Sequence, residues 1–148
     1  ALAGLPPFGA AKPVPFNPYR LRFGETGAAI VAAAGPLTNL FLAIVMGVWL
    51  RFLPEVSSYA FDFLYIFVQV NLGFFVFNMI PFPPLDGSRL LYSVAPEGLR
   101  NFMRQIEATG LVGVMLFLFV GFPFIRPFMI TAITGLEKLI VGSEIVLQ

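Results

Sequence analysis

Three stretches of this chain carry no charged side chain: Gly27 to Leu50 is 24 residues long, Phe63 to Leu85 is 23 and Ala108 to Ile125 is 18. The hydrocarbon core of a bilayer takes about 20 helical residues to cross, so each run is long enough, or nearly so, to span it. A fourth segment, Pro127 to Gly142, is apolar but holds Glu137 and Lys138 near its end. A tilted span and an interfacial helix both fit it, and the span is favoured. The Phe122-Pro123 and Arg126-Pro127 steps are expected to break the helix between the last two segments, because proline lacks an amide donor and restricts the residue before it. The fold class is therefore an all-α polytopic membrane protein with three to four transmembrane helices.

Composition agrees. The chain is 58% hydrophobic and 11% charged, whereas a soluble domain is about a quarter charged. Its surroundings are the lipid bilayer, and a net charge of +1 argues for no nucleic-acid partner. The 148 residues are expected to form a single transmembrane domain, residues 1–26 being a linker ahead of spans 27–50, 63–85, 108–125 and possible span 127–142. With no Cys there are no disulfides or thiolate metal sites, and with no His the commonest metal ligand and general base is missing. The opening residues, ALAGLPPFGAAKP, hold neither an initiator Met nor a signal peptide. The chain is expected to begin partway through a longer protein.

Orientation follows from the basic residues. Lys12, Arg20 and Arg22 precede the first span, Arg51 stands with Glu55 and Asp62 between the first two, and Arg89, Arg100 and Arg104 follow the second. The positive-inside rule places the first and last groups in the cytoplasm. Asp86 is then expected toward the cytoplasmic face.

Three local features carry possible chemistry. In AAAGPLTN, residues 32–39, small side chains let helices approach closely in lipid, so Ala28, Ala29, Ala32, Ala33 and Gly35 read first as a packing face, with Asn39 able to hydrogen-bond to a neighbour. Pro36 is expected to bend that helix and to leave a carbonyl one turn back free. In the second span, Asn71 and Asn78 are seven residues apart and share a helix face. They can hold an extended peptide by its backbone or bond to other helices. The third feature is NMIPFPPLDG, residues 78–87, where Pro81, Pro83 and Pro84 break the helix and Asp86-Gly87 follows. An ionisable group at membrane depth is costly and marks a site. Asp86 is also placed to be the N-cap of a helix starting near Gly87, and the two roles are compatible.

NMIPFPPLDG resembles the Asn-x-x-Pro-x-Pro-Pro-Leu-Asp-Gly signature of the site-2 protease family, the intramembrane zinc metalloproteases. AGPLTN, residues 34–39, resembles that family's Ala-Gly-Pro-x-x-Asn segment, and AAKPVPFNPYRLR, residues 10–22, resembles the linker before it in the compact bacterial branch. The blocks come in the family's order and cover most of residues 10–90. Beyond them, the last 50 residues match only in being hydrophobic.

The resemblance implies a zinc metalloendopeptidase that cleaves transmembrane segments of membrane proteins in regulated intramembrane proteolysis, sited in a bacterial inner membrane. It implies that Asp86 is the third protein ligand of the zinc and that Asn78 lies beside the cleft that holds substrate; Asn71, on the same helix face, is a further substrate-binding candidate, and Gly35, Pro36, Asn39, Pro81, Pro83, Pro84 and Gly87 form the structural motif. The family's other two ligands and its general base belong to a His-Glu-x-x-His helix, which cannot be assigned in a chain without His. No catalytic residue is therefore assigned here, and the chain alone is expected to be inactive and to retain no zinc, since a catalytic site needs about three protein ligands. The implied partners are a transmembrane protein substrate and other members of a membrane complex. A non-catalytic accessory subunit derived from the family would show the same Asp86 motif. A transporter would share the Pro-broken helices and buried carboxylate but needs more spans.

Overall fold

The computed structural model describes residues 24–52 and 57–142. The expected linker of residues 10–22, the basic residues Lys12, Arg20 and Arg22, and Glu55 lie outside the described residues. All regular structure among the described residues is helical: α1 (Gly24–Phe52), α2 (Ser58–Asn78), α3 (Asp86–Val94), α4 (Glu97–Ala108), α5 (Leu111–Leu116) and α6 (Phe122–Ile140), with a π-helical turn at Phe117–Gly121 joining the last two.

Among the described residues three helical stretches are long and apolar enough to cross a membrane: Thr26–Phe52, Ser58–Asn78 and Leu111–Ile140. Lipid offers no water to backbone amides, so an apolar run must satisfy its hydrogen bonds internally, as a helix does. The second helix starts ahead of the uncharged run and contains Asp62, then stops at Asn78 because the prolines beyond it cannot continue the ladder. The expected break between residues 108–125 and 127–142 is absent: both form one 30-residue stretch. In the π turn the Phe122 N–H bonds five residues back to the Phe117 carbonyl, and this wide turn leaves room for the Pro123 ring in the first turn of α6. Pro127 lies inside α6, where Thr131 Oγ1 donates to its carbonyl at 3.0 Å. Pro36 likewise interrupts no part of α1, and Thr38 Oγ1 bonds back to the Ala34 carbonyl at 2.7 Å.

The core is a three-helix contact in which Ala43 and Leu50 of α1, Val68 and Leu72 of α2, and Val141 beyond α6 are buried. Gly47 makes this contact close: a Cβ there would overlap Ile140 and stand 3.2 Å from Val141 Cγ2. Most large apolar side chains on the outer faces, Phe41, Phe63 and Phe128 among them, are exposed. That suits helices whose solvent is lipid.

The chain between α2 and α3 is irregular and tightly folded. Its amides turn back on Phe77, Ile80 and Phe82, and the Phe82 ring stacks on Phe117 with centroids 4.5 Å apart. Phe117 also meets Phe77, so the π turn anchors the proline-rich loop to the end of α2. Pro96 then separates α3 from α4, its predecessor Ala95 being extended as proline requires. At Gly110 the backbone takes φ 56, which favours glycine, as the chain turns into α5.

Candidate metal centre

Asp86 opens α3. The residue in the N-cap position is Leu85, and α3 has no side-chain cap hydrogen bond, so the cap role expected for Asp86 is not the one it plays. The helix begins one residue earlier than expected, which makes Asp86 its first helical residue and frees its carboxylate from capping. In the same turn the Ser88 hydroxyl donates to the Leu85 carbonyl at 2.6 Å.

The freed carboxylate faces α1. A Cβ built on Gly35 would lie 3.7 Å from Asp86 Oδ2, and a cavity of about 340 Å³ opens between Asp86, Arg89 and the α1 residues Ala28, Val31, Ala32 and Gly35. Ala28, Ala32, Gly35 and Asn39 recur at helical spacing and share one face of α1. Pro36 supplies no amide proton to Ala32, whose carbonyl therefore lacks its usual helical partner, and Ala32 lines the cavity. Gly35 borders open space in front of a carboxylate, whereas Ala28 and Ala29 are buried, as a packing face requires. The expectation that Gly35 is small because two backbones meet there is corrected accordingly, since 3.7 Å is ordinary van der Waals distance.

The close backbone approach lies at Gly87. A Cβ there would come within 2.5 Å of the Met79 carbonyl carbon and oxygen and 2.6 Å of the Ile80 oxygen. Glycine thus lets the first turn of α3 press on the end of α2, which fixes the position of Asp86. Burial pushes the Asp86 carboxyl above the usual carboxylate range, and the Arg89 guanidinium partly offsets this.

The other sequence-selected residues take varied positions. Asn71 is buried and donates to the Phe67 carbonyl at 2.8 Å, and the half-buried Asn78 donates to Phe74 at 3.0 Å. Each amide nitrogen is thus bonded within α2, leaving the Oδ1 atoms as the side-chain acceptors. Asn39 is half-buried one turn beyond Gly35. Pro36 and Pro83 are fully buried. Pro81 borders an apolar groove of about 630 Å³ between the end of α2 and α6, while Pro83 and Pro84 wall a smaller cavity toward α4 and α5.

Two residues that sequence reasoning did not assign to the site stand beside it. Arg89 borders the Asp86 cavity and pairs with Glu107 of α4, Nη2 to Oε1 at 3.2 Å. Arg89 was open to discovery from its spacing three residues after Asp86. No local pattern points to Glu107.

As a metal centre the donor set is incomplete. A carboxylate oxygen aimed into a roomy cavity with a glycine opposite suits a zinc ligand. Yet among the described residues no three His, Cys, Asp or Glu side chains come together. The geometry thus fits one ligand of a larger set.

Comparison with known proteins decides the family. The family model for Peptidase family M50 matches residues 55–122, which hold α2, the proline-rich loop and Asp86. A Bacillus subtilis protein named "Putative zinc metalloprotease YwhC" is 36% identical over 121 residues, covering 76% of this chain and 55% of that protein. The chain belongs to the site-2 protease family. A Methanocaldococcus jannaschii protein named "Putative zinc metalloprotease MJ0611" is 33% identical over 88 residues, covering 60% of this chain and 42% of that protein. The chain thus spans about half the length of the curated relatives it matches. No solved structure matches it.

Proposed function

We propose that this chain carries the Asp86 side of a zinc-dependent intramembrane protease that cleaves transmembrane segments of membrane proteins. Two further ligands and the general base would come from protein outside these 148 residues. The observation that supports this best is the Asp86 Oδ2 atom facing a cavity across from Gly35, within a chain whose relatives are named as zinc metalloproteases.

In this proposal each of the chain's residues has a physical task. Asp86 supplies an anionic oxygen donor, and its partial desolvation strengthens attraction for a cation. Gly35 and the neighbouring alanines keep the approach open, while Gly87 and the Phe82–Phe117 stack hold the donor in place. Bound zinc would supply Lewis acidity toward water and toward a scissile carbonyl. A transmembrane substrate must unwind before its amide is accessible, and the freed N–H groups then need acceptors. The Asn78 Oδ1 atom at the end of α2 offers one, and Asn71 lies on the same face two turns back. Asp86→Asn in the full-length protein tests this role: cleavage of a transmembrane substrate is expected to be lost with the fold retained, and full activity would reject it.

The same proposal places Arg89, Arg100 and Arg104 in the cytoplasm of a bacterial inner membrane, on the count of basic residues. Single cysteines introduced at positions 20, 55 and 100 of this Cys-free chain can be labelled with an impermeant reagent from either side. Positions 20 and 100 are expected to label from one side and 55 from the other; matching labels at 20 and 55 would overturn the orientation.

A further inference from the structure

Arg89 and Asp86 are three residues apart on α3, a spacing that puts two side chains on one helix face. Opposite charges so placed would ordinarily pair. Here the ion pair goes elsewhere: Arg89 Nη2 lies 3.2 Å from Glu107 Oε1 in the last turn of α4. The pair runs along a cavity of about 250 Å³ walled by Pro83, Pro84, Gly110 and Gly113. Arg89 also borders the Asp86 cavity, so one guanidinium stands between two carboxylates and is bonded to the one farther along the chain.

We infer that Glu107 is a positioning residue for the metal centre: by pairing with Arg89 it holds the guanidinium off Asp86 and keeps that carboxylate available to a cation. This rests on Asp86 being a zinc ligand. A guanidinium bound to Asp86 would occupy the oxygens the metal needs and would place a positive charge beside a divalent cation, and both effects weaken metal binding. Removing the Glu107 charge leaves Asp86 as the carboxylate nearest to Arg89 on its own helix face. The Glu107 side chain is 26% exposed and that of Arg89 44%, so the pair adds little to stability and its effect falls on where Arg89 points.

The test is zinc affinity of the detergent-purified full-length protein, measured by chelator competition. Outer partners of metal ligands typically change affinity 10- to 100-fold, and Glu107→Gln is expected to loosen zinc by about 10-fold. In an Arg89→Gln background the same Glu107→Gln change is expected to alter affinity by less than about twofold, because no guanidinium remains to be misplaced. A purely structural role for Glu107 would loosen zinc equally in both backgrounds, and that result, or no loosening in either, overturns the inference. Asp86→Asn serves as the separate control: if it keeps full zinc affinity, the assignment of Asp86 fails; if it loses zinc while Glu107→Gln does not, only the role of Glu107 fails.

Discussion

Asp86 and Glu137 are both carboxylates set among apolar helices, and their surroundings differ in kind. Along α1, Asp86 lies beside Gly35, whereas the turn after Glu137 lies beside Gly47, about 18 Å further on at 1.5 Å per residue. Glu137 is 4% exposed, its Oε1 has no hydrogen-bond partner among the described residues, and its neighbours Leu136, Ile140 and Val141 belong to the core contact. Gln69 and Tyr65 of α2 lie alongside it. Asp86 instead faces a cavity with small residues across from it. Burial alone therefore does not distinguish the two carboxylates; the open space beside Asp86 does. The same contrast separates two glycines that look alike in sequence, since a Cβ at Gly47 would overlap Ile140 whereas one at Gly35 would meet only Asp86 Oδ2, at ordinary contact distance.

The sharpest way to break this comparison is to fill the space. Gly35→Leu puts a four-carbon side chain directly before Asp86 Oδ2, and a displacement of even 1 Å at a reacting group can cost on the order of 100-fold in rate. Cleavage is expected to fall by at least about 100-fold and zinc content with it, while thermal unfolding changes little because the cavity accepts the added volume. Normal zinc and normal turnover would show that the cavity is not the metal site.

A smaller loss is expected at Gly87, where the added methyl of Gly87→Ala meets backbone atoms of Met79 and Ile80 that cannot turn aside. Overpacking of this kind costs about 1–3 kcal/mol, so the unfolding midpoint in detergent should drop and zinc should loosen about 10-fold. An Ala variant with wild-type stability would mean that α3 does not press on α2 here. The smallest effect is expected at the other carboxylate. Glu137→Gln keeps the shape and removes a carboxylate that forms no ion pair among the described residues, so zinc content and cleavage should be unchanged and stability altered by less than about 1 kcal/mol. Loss of zinc in that variant would erase the distinction between the two ends.

The all-helical class and the first two spans were legible in the sequence because uncharged runs in lipid have one common solution. The break after α2 was equally plain, since Pro81, Pro83 and Pro84 forbid a continued ladder. The continuous third stretch was not legible: Pro123 reads as a helix breaker unless the π turn before it is known, and that turn depends on Phe117 packing against Phe77 and Phe82. The cap expected at Asp86 shifted by one residue, because Leu85 takes that position and no side chain caps the helix. Asp86 as a site candidate came from a charge at membrane depth, which is a local signal. Glu107 follows 18 residues after Arg89, across a turn whose path only the folded chain reveals.

The central claim is that Asp86 completes a zinc site, and metal analysis of the full-length protein purified without added metal tests it most directly. About one zinc per chain is predicted for the unaltered protein and less than about one-tenth for Asp86→Asn at the same yield and helical content, because a neutral amide is a poor zinc ligand. Stoichiometric zinc in Asp86→Asn would contradict the account.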